Sequence, residues 1–412
     1  MTNKLPLDGI RVLDVSQVMA GPFCCMLLAD LGADVIKVEP PGVGDQTRKA
    51  MGFRLKSDDS PGFFALNRNK RSIEIDLKTQ EGLEVFYKLV KTADILVENN
   101  RPGVNKRLKI DYPTLKIINP RLIYASISGF GQSGPWSQRP GFDLIAQAMS
   151  GVLSATGTPD GELTKCGVSI ADLGSGLMAT YGVLSAYIGC QKSGEGQHID
   201  ASLFETALSL SIWEVTELWG TGKIPKPLGT ANRMSAPYQA VKAQDGSFVI
   251  GAANQKLWKN LCDAIDRPQL FADARFIDNP ARLKNRAELI QELESIFILK
   301  PASYWIDLFL SVGIPCGPVN NFSEALASEH AIERKMTMEM DHPVEGKIKS
   351  LGFPIKLSAT PPELRLPPPL LGQHTEEILL ELGLDKNYLT NHLHNTTQAG
   401  DRNESEVQSL YK

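Results

Sequence analysis

One carboxylate in this chain stands where covalent chemistry could be done. Within residues 161–203 an apolar run ends at Asp172; Gly174 follows, and Gly176, Ala179, Gly182, Ala186 and Gly189 then recur three or four apart. That spacing predicts a close-packed helix starting at Asp172. Two readings follow. As an N-cap, the side chain accepts the unpaired amides of the first helical turn. As a nucleophile, it attacks an electrophilic carbon beside backbone amides that can hold an oxyanion. Spacing alone favours the cap, and the glycines suit either reading because they let a backbone or a ligand come close.

Other chemistries find less support. The histidines, at 198, 330, 342, 374, 392 and 394, fall in no metal-ligand spacing. No Gly-x-Ser-x-Gly elbow occurs, and a Ser-His or Cys-His pair would have to draw its base from the C-terminal half. Gly129 to Gly134 matches a dinucleotide-binding pattern, but Pro135-Trp136-Ser137 follows instead of a helix. It reads as a loop. The first strand-to-helix turn offers only Gly21-Pro22, so Glu39, placed like a ribose-binding acid, does not make an NAD site.

The elements that would position Asp172 alternate. Strand patterns at 10–16, 34–39, 72–77, 94–98 and 122–128 are interleaved with helical ones at 20–31 and 80–91. Such alternation predicts a Rossmann-like, doubly wound parallel sheet, with ligands beyond the carboxyl ends of its strands. Residues 201–218 read as an amphipathic helix, and proline and glycine break the pattern between Thr221 and Gly229. A hairpin at 238–243 and 247–252 and helices to about Val312 then predict a smaller α+β domain. Strands, prolines and turns return beyond Met336.

The 412 residues exceed what one core usually supports. A net charge of −4 gives no basic balance for a nucleic-acid partner. The six cysteines contain no Cys-x-x-Cys pair, which suits a reducing compartment. No run of eighteen apolar residues predicts a membrane span. The N-terminus passes into a strand pattern without a leader. A cytoplasmic protein is expected, with the mitochondrial matrix as the eukaryotic alternative.

Several stretches together resemble the class III CoA-transferases, the CaiB/BaiF family. They include Pro6 to Asp14, Ala20-Gly-Pro22, Asp30 to Glu39, Gly42 to Asp45, Asn69 to Ser72, Val97 to Gly103 and Asp172-Leu-Gly-Ser-Gly176. Gly194 to Gln197, Gly313 to Pro318 and Leu371-Gly-Gln-His-Thr375 continue the likeness, which runs from about 5 to 385. The resemblance implies that Asp172 is the catalytic nucleophile, passing through an aspartyl anhydride and an aspartyl-CoA thioester. It implies a CoA site at Met19, Ala20, Ile75, Lys78, Asn99, Asn100, Arg101, Arg107 and Arg139, and a substrate loop at Gly229 and Thr230. Coenzyme A thioester is then a substrate, with no permanently bound cofactor and no metal. The branch that looks nearest uses succinyl-CoA and dicarboxylic acids.

The other branches fit less well. Formyl-CoA:oxalate enzymes carry Gln where Met19 stands and Arg where Pro40 stands. α-Methylacyl-CoA racemases carry a His where Phe142 stands, and phenylalanine moves no proton. The resemblance also implies an interlocked homodimer with no membrane partner. Its large α/β domain is built from residues 1–203 and 331–395, with a linker helix and loop at 204–228 and a small α+β domain at 229–330. Residues 396–412 are expected to be a disordered tail.

Overall fold

A computed structural model describes residues 5–50 and 52–384, so the expected tail lies outside the described residues. Strands β1 (Arg11–Asp14), β2 (Asp34–Glu39), β3 (Lys70–Glu74), β4 (Ile95–Glu98), β5 (Ile123–Ser128) and β6 (His198–Ser202) form one sheet in the order β3-β2-β1-β4-β5-β6. Every neighbouring pair is parallel. Both faces of the sheet are covered, so its inner strands are buried throughout: Leu13, Ile36, Leu96 and Val97 supply apolar contacts, and the charged Asp14, Lys37, Glu39 and Glu98 are buried with them. Helix α1 (Ala20–Asp30) connects β1 to β2, and α2 (Gln80–Thr92) connects β3 to β4. Leu83, Phe86, Leu89 and Val90 recur at helical spacing and press α2 onto the sheet. The strand order reverses between β1 and β4, which leaves a crevice above their carboxyl ends.

Helix α3 (Asp143–Met149) precedes α4 (Ile170–Ser193), a helix of 24 residues against α1 and β5. By length and composition alone α4 would pass for a membrane span. Its small residues have another use here: a Cβ added at Gly176 would stand 2.7 Å from the Ala20 carbonyl oxygen. The sequence reading missed β6, whose outer residues His198 and Asp200 are exposed and polar, as an edge strand allows. The expected helix at 201–218 divides into α5 (Leu203–Leu210) and α6 (Ile212–Thr221), because β6 takes its first residues and Ser211 breaks it.

Contacts divide the chain into two units. The first holds residues up to Ser150, Gly167–Ile212 and those from Lys335 on; the second holds Gly151–Cys166 and Trp213–Arg334. Residues Gly151–Cys166, placed by the sequence reading in the large domain, fall in the second unit, where Gly229 N–H donates to Gly157 C=O at 2.7 Å. The residues expected as a linker are split, α5 falling in the first unit and α6 in the second.

The second unit pairs β7 (Tyr238–Ala243) with β8 (Gly246–Gly251), backed by α7 (Gln255–Ala264), α8 (Arg286–Phe297) and α9 (Ala302–Ser311) and edged by β9 (Cys316–Pro318). Phe248, Trp258, Phe297, Trp305 and Phe309 fill its core. The chain then re-enters the first unit through the hairpin β10 (Thr337–His342) and β11 (Gly346–Leu351) and ends in α10 (Thr375–Glu381). His374 N–H donates to Ser72 C=O at 2.9 Å, and Ile378 and Leu379 complete the core beneath β3. One sheet is therefore covered by both ends of the chain.

Candidate active site

The crevice at the reversal of strand order is a cavity of about 220 Å³. Its walls come from turns that follow strands: Gln17 to Ala20 after β1, Asn99 to Pro102 after β4, and Ser128 and Gly129 at the end of β5. Arg139, Gly141, Phe142 and Asp172 close it. Gly129 and Gly141 meet face to face, since a Cβ on Gly141 would stand 2.6 Å from the Cα of Gly129. Any side chain there would drive the segment carrying Arg139 and Phe142 away from the sheet.

Asp172 is not the cap of α4. The helix begins at Ile170, and the N-cap residue Ser169 makes no side-chain hydrogen bond. Asp143 caps the helix from α3: its Oδ1 accepts from the amides of Ala171 at 2.8 Å and Asp172 at 3.3 Å. Because a tertiary neighbour satisfies those donors, the Asp172 carboxylate is left over. It is half-buried, and among the described residues no hydrogen bond or ion pair reaches its oxygens. Burial first, and the Asp143 charge second, push its carboxyl up to about 6.

The crevice wall is braced from below. Asn99 accepts from Gln17 N–H at 2.8 Å and donates to Gln17 C=O at 2.7 Å, clamping the turn after β1. Glu98 accepts from Asn100 N–H at 2.7 Å, and its burial raises its carboxyl to about 7.

A family model, CoA-transferase family III, matches residues 7–375. The chain belongs to CoA-transferase family III. It is an enzyme of the CoA-transferase type. Its relatives include the human succinyl-CoA:glutarate CoA-transferase, 39% identical over 383 residues, covering 93% of this chain and 87% of that one. The acetyl-CoA:oxalate CoA-transferase of Acetobacter aceti is 41% identical over 357 residues, covering 86% and 90%. Among solved structures, a CaiB/BaiF family protein from Brucella suis superposes with a TM-score of 0.82 at 36% identity, covering 92% of this chain and all of that one.

In this family III chain the crevice gathers Met19, Ala20, Asn99, Asn100, Arg101 and Arg139 around Asp172. Ile75 and Lys78 line an adjoining hollow of about 140 Å³ that shares Gln17 and Asn100 with the crevice. Arg107 lies in neither; it is exposed at the end of the short helix Val104–Arg107. Gly229 and Thr230 belong to the second unit, where Thr230 Oγ1 accepts from Ala240 N–H at 3.1 Å. Gln17, Val18, Gln46 and Ser128 also face the crevice and were not singled out from the sequence, and Phe142, weighed there only against racemisation, lines it too. Position at or just beyond the carboxyl end of a strand was the available signal for Gln17, Val18 and Ser128.

Two larger hollows, of about 700 and 520 Å³, lie in the second unit. Their charges are largely engaged: Arg233 pairs with Glu214 and Glu217 at 3.3 Å, and Glu294 accepts from Lys242 N–H at 2.9 Å. The smaller crevice holds the unpaired carboxylate, and chemistry decides over size.

Proposed function

We propose that the enzyme moves CoA from succinyl-CoA to a second dicarboxylic acid through covalent intermediates on Asp172. The half-buried, unpaired Asp172 carboxylate, in a crevice that also carries Arg101 and Arg139, carries this reading. With its carboxyl near 6, the group is ionised at neutral pH yet poorly solvated, as a nucleophile should be.

Its oxygen adds to the thioester carbonyl, the C–S bond breaks, and CoA leaves as thiolate, giving a mixed anhydride. The thiolate attacks Cγ of Asp172, the anhydride C–O bond breaks, and succinate departs from an aspartyl-CoA thioester. The acceptor carboxylate attacks the same carbon and expels the thiolate, which then attacks the acceptor's acyl carbon. The Asp172 carboxylate and a new acyl-CoA result. The thioester is conserved and no net proton moves, so the cycle balances without a metal or a nucleotide triphosphate. Covalent capture divides one difficult exchange into easier steps.

Arg101 and Lys78, with Arg107 beyond the crevice, are proposed to meet the diphosphate and ribose phosphate of CoA, for which guanidinium forks are suited. Met19, Ala20, Ile75, Asn99, Asn100 and Arg139 are proposed to shape the rest of its path, and Gly229 and Thr230 to serve as the substrate loop. Glutarate and oxalate in the relatives' names support a dicarboxylate acceptor. Phe142 in the crevice wall argues against racemisation, which needs a proton carrier.

An interlocked homodimer is part of the proposal. Leu177, Met178, Tyr181 and Ile188 on α4, and Trp213 and Trp219 on α6, are exposed apolar side chains that a second copy would cover. Six free cysteines, four of them buried, suit the reducing cytoplasm.

The test is incubation with succinyl-CoA and a panel of dicarboxylic acids, read by mass spectrometry of the CoA thioesters. New acyl-CoA species, and an adduct of CoA mass on Asp172, are expected. Transfer that persists in Asp172→Ala would sink the mechanism. Light scattering on the eluting protein checks the dimer.

A further inference from the structure

The turn that leaves β1 contains a strained residue. Val18 has φ +69°, a left-handed conformation that a β-branched side chain avoids. Val18 lines the crevice that holds Asp172. Its N–H donates to Asp45 Oδ1 at 3.1 Å, and the same oxygen accepts from Thr47 N–H and Oγ1–H at 2.8 and 2.7 Å. The other oxygen of Asp45 lies 2.8 Å from Lys37 Nζ, which donates to Ser16 C=O at 2.9 Å.

Lys37 and Asp45 therefore hold the turn on either side of Gln17, while Asn99 holds Gln17 itself. Both charged residues are buried, and neither lines the crevice. A buried ion pair is a weak device for stability alone, because an apolar pair of the same volume often does as well. What an apolar pair lacks is an acceptor aimed at the Val18 amide. Helix α1 begins directly after this turn, and its N-cap residue Met19 makes no side-chain hydrogen bond, so the turn sets where the uncapped first-turn amides stand.

We propose that Asp45 is a positioning residue that holds residues 16–19 in their strained form, so that this wall meets the acyl-CoA thioester opposite Asp172. The proposal rests on Asp172 being the nucleophile. It assigns Asp45 a kinetic role without contact to substrate: Asp45 fixes Val18, and Lys37 balances the buried charge of Asp45.

A mutant cycle on kcat tests it. Asp45→Ala alone would leave Lys37 short of a partner, so each variant also carries Lys37→Met, with Asp14 and Lys70 remaining as a pair at 2.8 Å. Lys37→Met/Asp45→Asn retains an oxygen for the Val18 N–H and should keep kcat within about threefold of the unmutated enzyme. Lys37→Met/Asp45→Ala should lose about tenfold or more in kcat, with a smaller change in KM for the acyl-CoA, because a preformed wall counts most in the transition state. In a Val18→Gly background the strain is gone, and the gap between the two paired variants should close to about twofold.

An equal gap in both backgrounds overturns the proposal, as does an unaltered kcat in folded Lys37→Met/Asp45→Ala. Should the paired variants fail to fold, hydrogen exchange in the unmutated protein decides. A Val18 amide protected like those of β1 supports the proposal, and one that exchanges like an exposed loop amide overturns it. Failure of the nucleophile assignment shows separately, as transfer surviving in Asp172→Ala.

Discussion

Two aspartates of the same unit, Asp14 beneath the crevice and Asp172 within it, have opposite fates. Asp14, at the end of β1, is fully buried, and burial alone would raise its carboxyl. Lys70 at 2.8 Å and Lys37 at 3.6 Å overcome that and hold it down at about 2. Asp172 is less buried but among the described residues forms no ion pair, and the charge that shifts it is another carboxylate, Asp143. Burial costs a carboxylate only what its partners fail to return. Pairing makes Asp14 part of the scaffold, and the lack of it is what suits Asp172 to the proposed role of nucleophile.

The largest test of that contrast is on catalysis. Asp172→Ala should lower kcat about 10³-fold or more, measured as acyl-CoA formed per enzyme, because a covalent cycle has no substitute for its nucleophile. An equal loss from a variant that leaves Asp172 and its crevice untouched would erase the distinction. Next is stability. Lys70→Met leaves Asp14 short of a partner and should cost about 3–5 kcal/mol in urea unfolding of the full chain.

The reverse sign is expected at Asp172. Asp172→Asn removes a charge that the fold holds unfavourably and should stabilise by about 1–2 kcal/mol at pH 8, after allowance for partial solvent exposure. The linkage is directional. Because the folded carboxyl of Asp172 is raised from 3.8 to about 6, its contribution to stability falls as pH rises across that window. Asp14, lowered to about 2, contributes above 3.8 and loses its contribution as pH falls through about 2. The Asn variant should therefore gain least below pH 4 in the same urea experiment.

The smallest effect concerns Asp143. Asp143→Asn keeps an oxygen for the Ala171 amide but removes the charge that helps raise Asp172. The acid limb of kcat/KM should move down by about 0.5–1 pH unit. A limb that stays in place would assign the shift to burial alone.

Much of the scaffold was legible along the chain. The segments β1, α1, β2, α2, β4 and β5 carry their periodicities locally, and alternation of strand and helix is enough to call a parallel sheet. The short edge strand β6 was not legible, because its exposed polar residues carry no buried pattern. Nor was the true start of α4. The reading of Asp172 as a cap used the local rule correctly, but Asp143, 29 residues earlier, already occupied the donors. The strain at Val18 is invisible in sequence, since nothing in the turn marks a residue held there by Asp45.

The sequence by itself determined the alternating α/β pattern, a carboxylate ahead of a small-residue helix, and a family likeness that named the chemistry. These are local or ordered properties, written in spacing. Only the tertiary structure decided which aspartate is paired and which is left free. That depends on Lys37, Lys70 and Asp143 arriving from separate elements, and a charge's environment is set by distance in space.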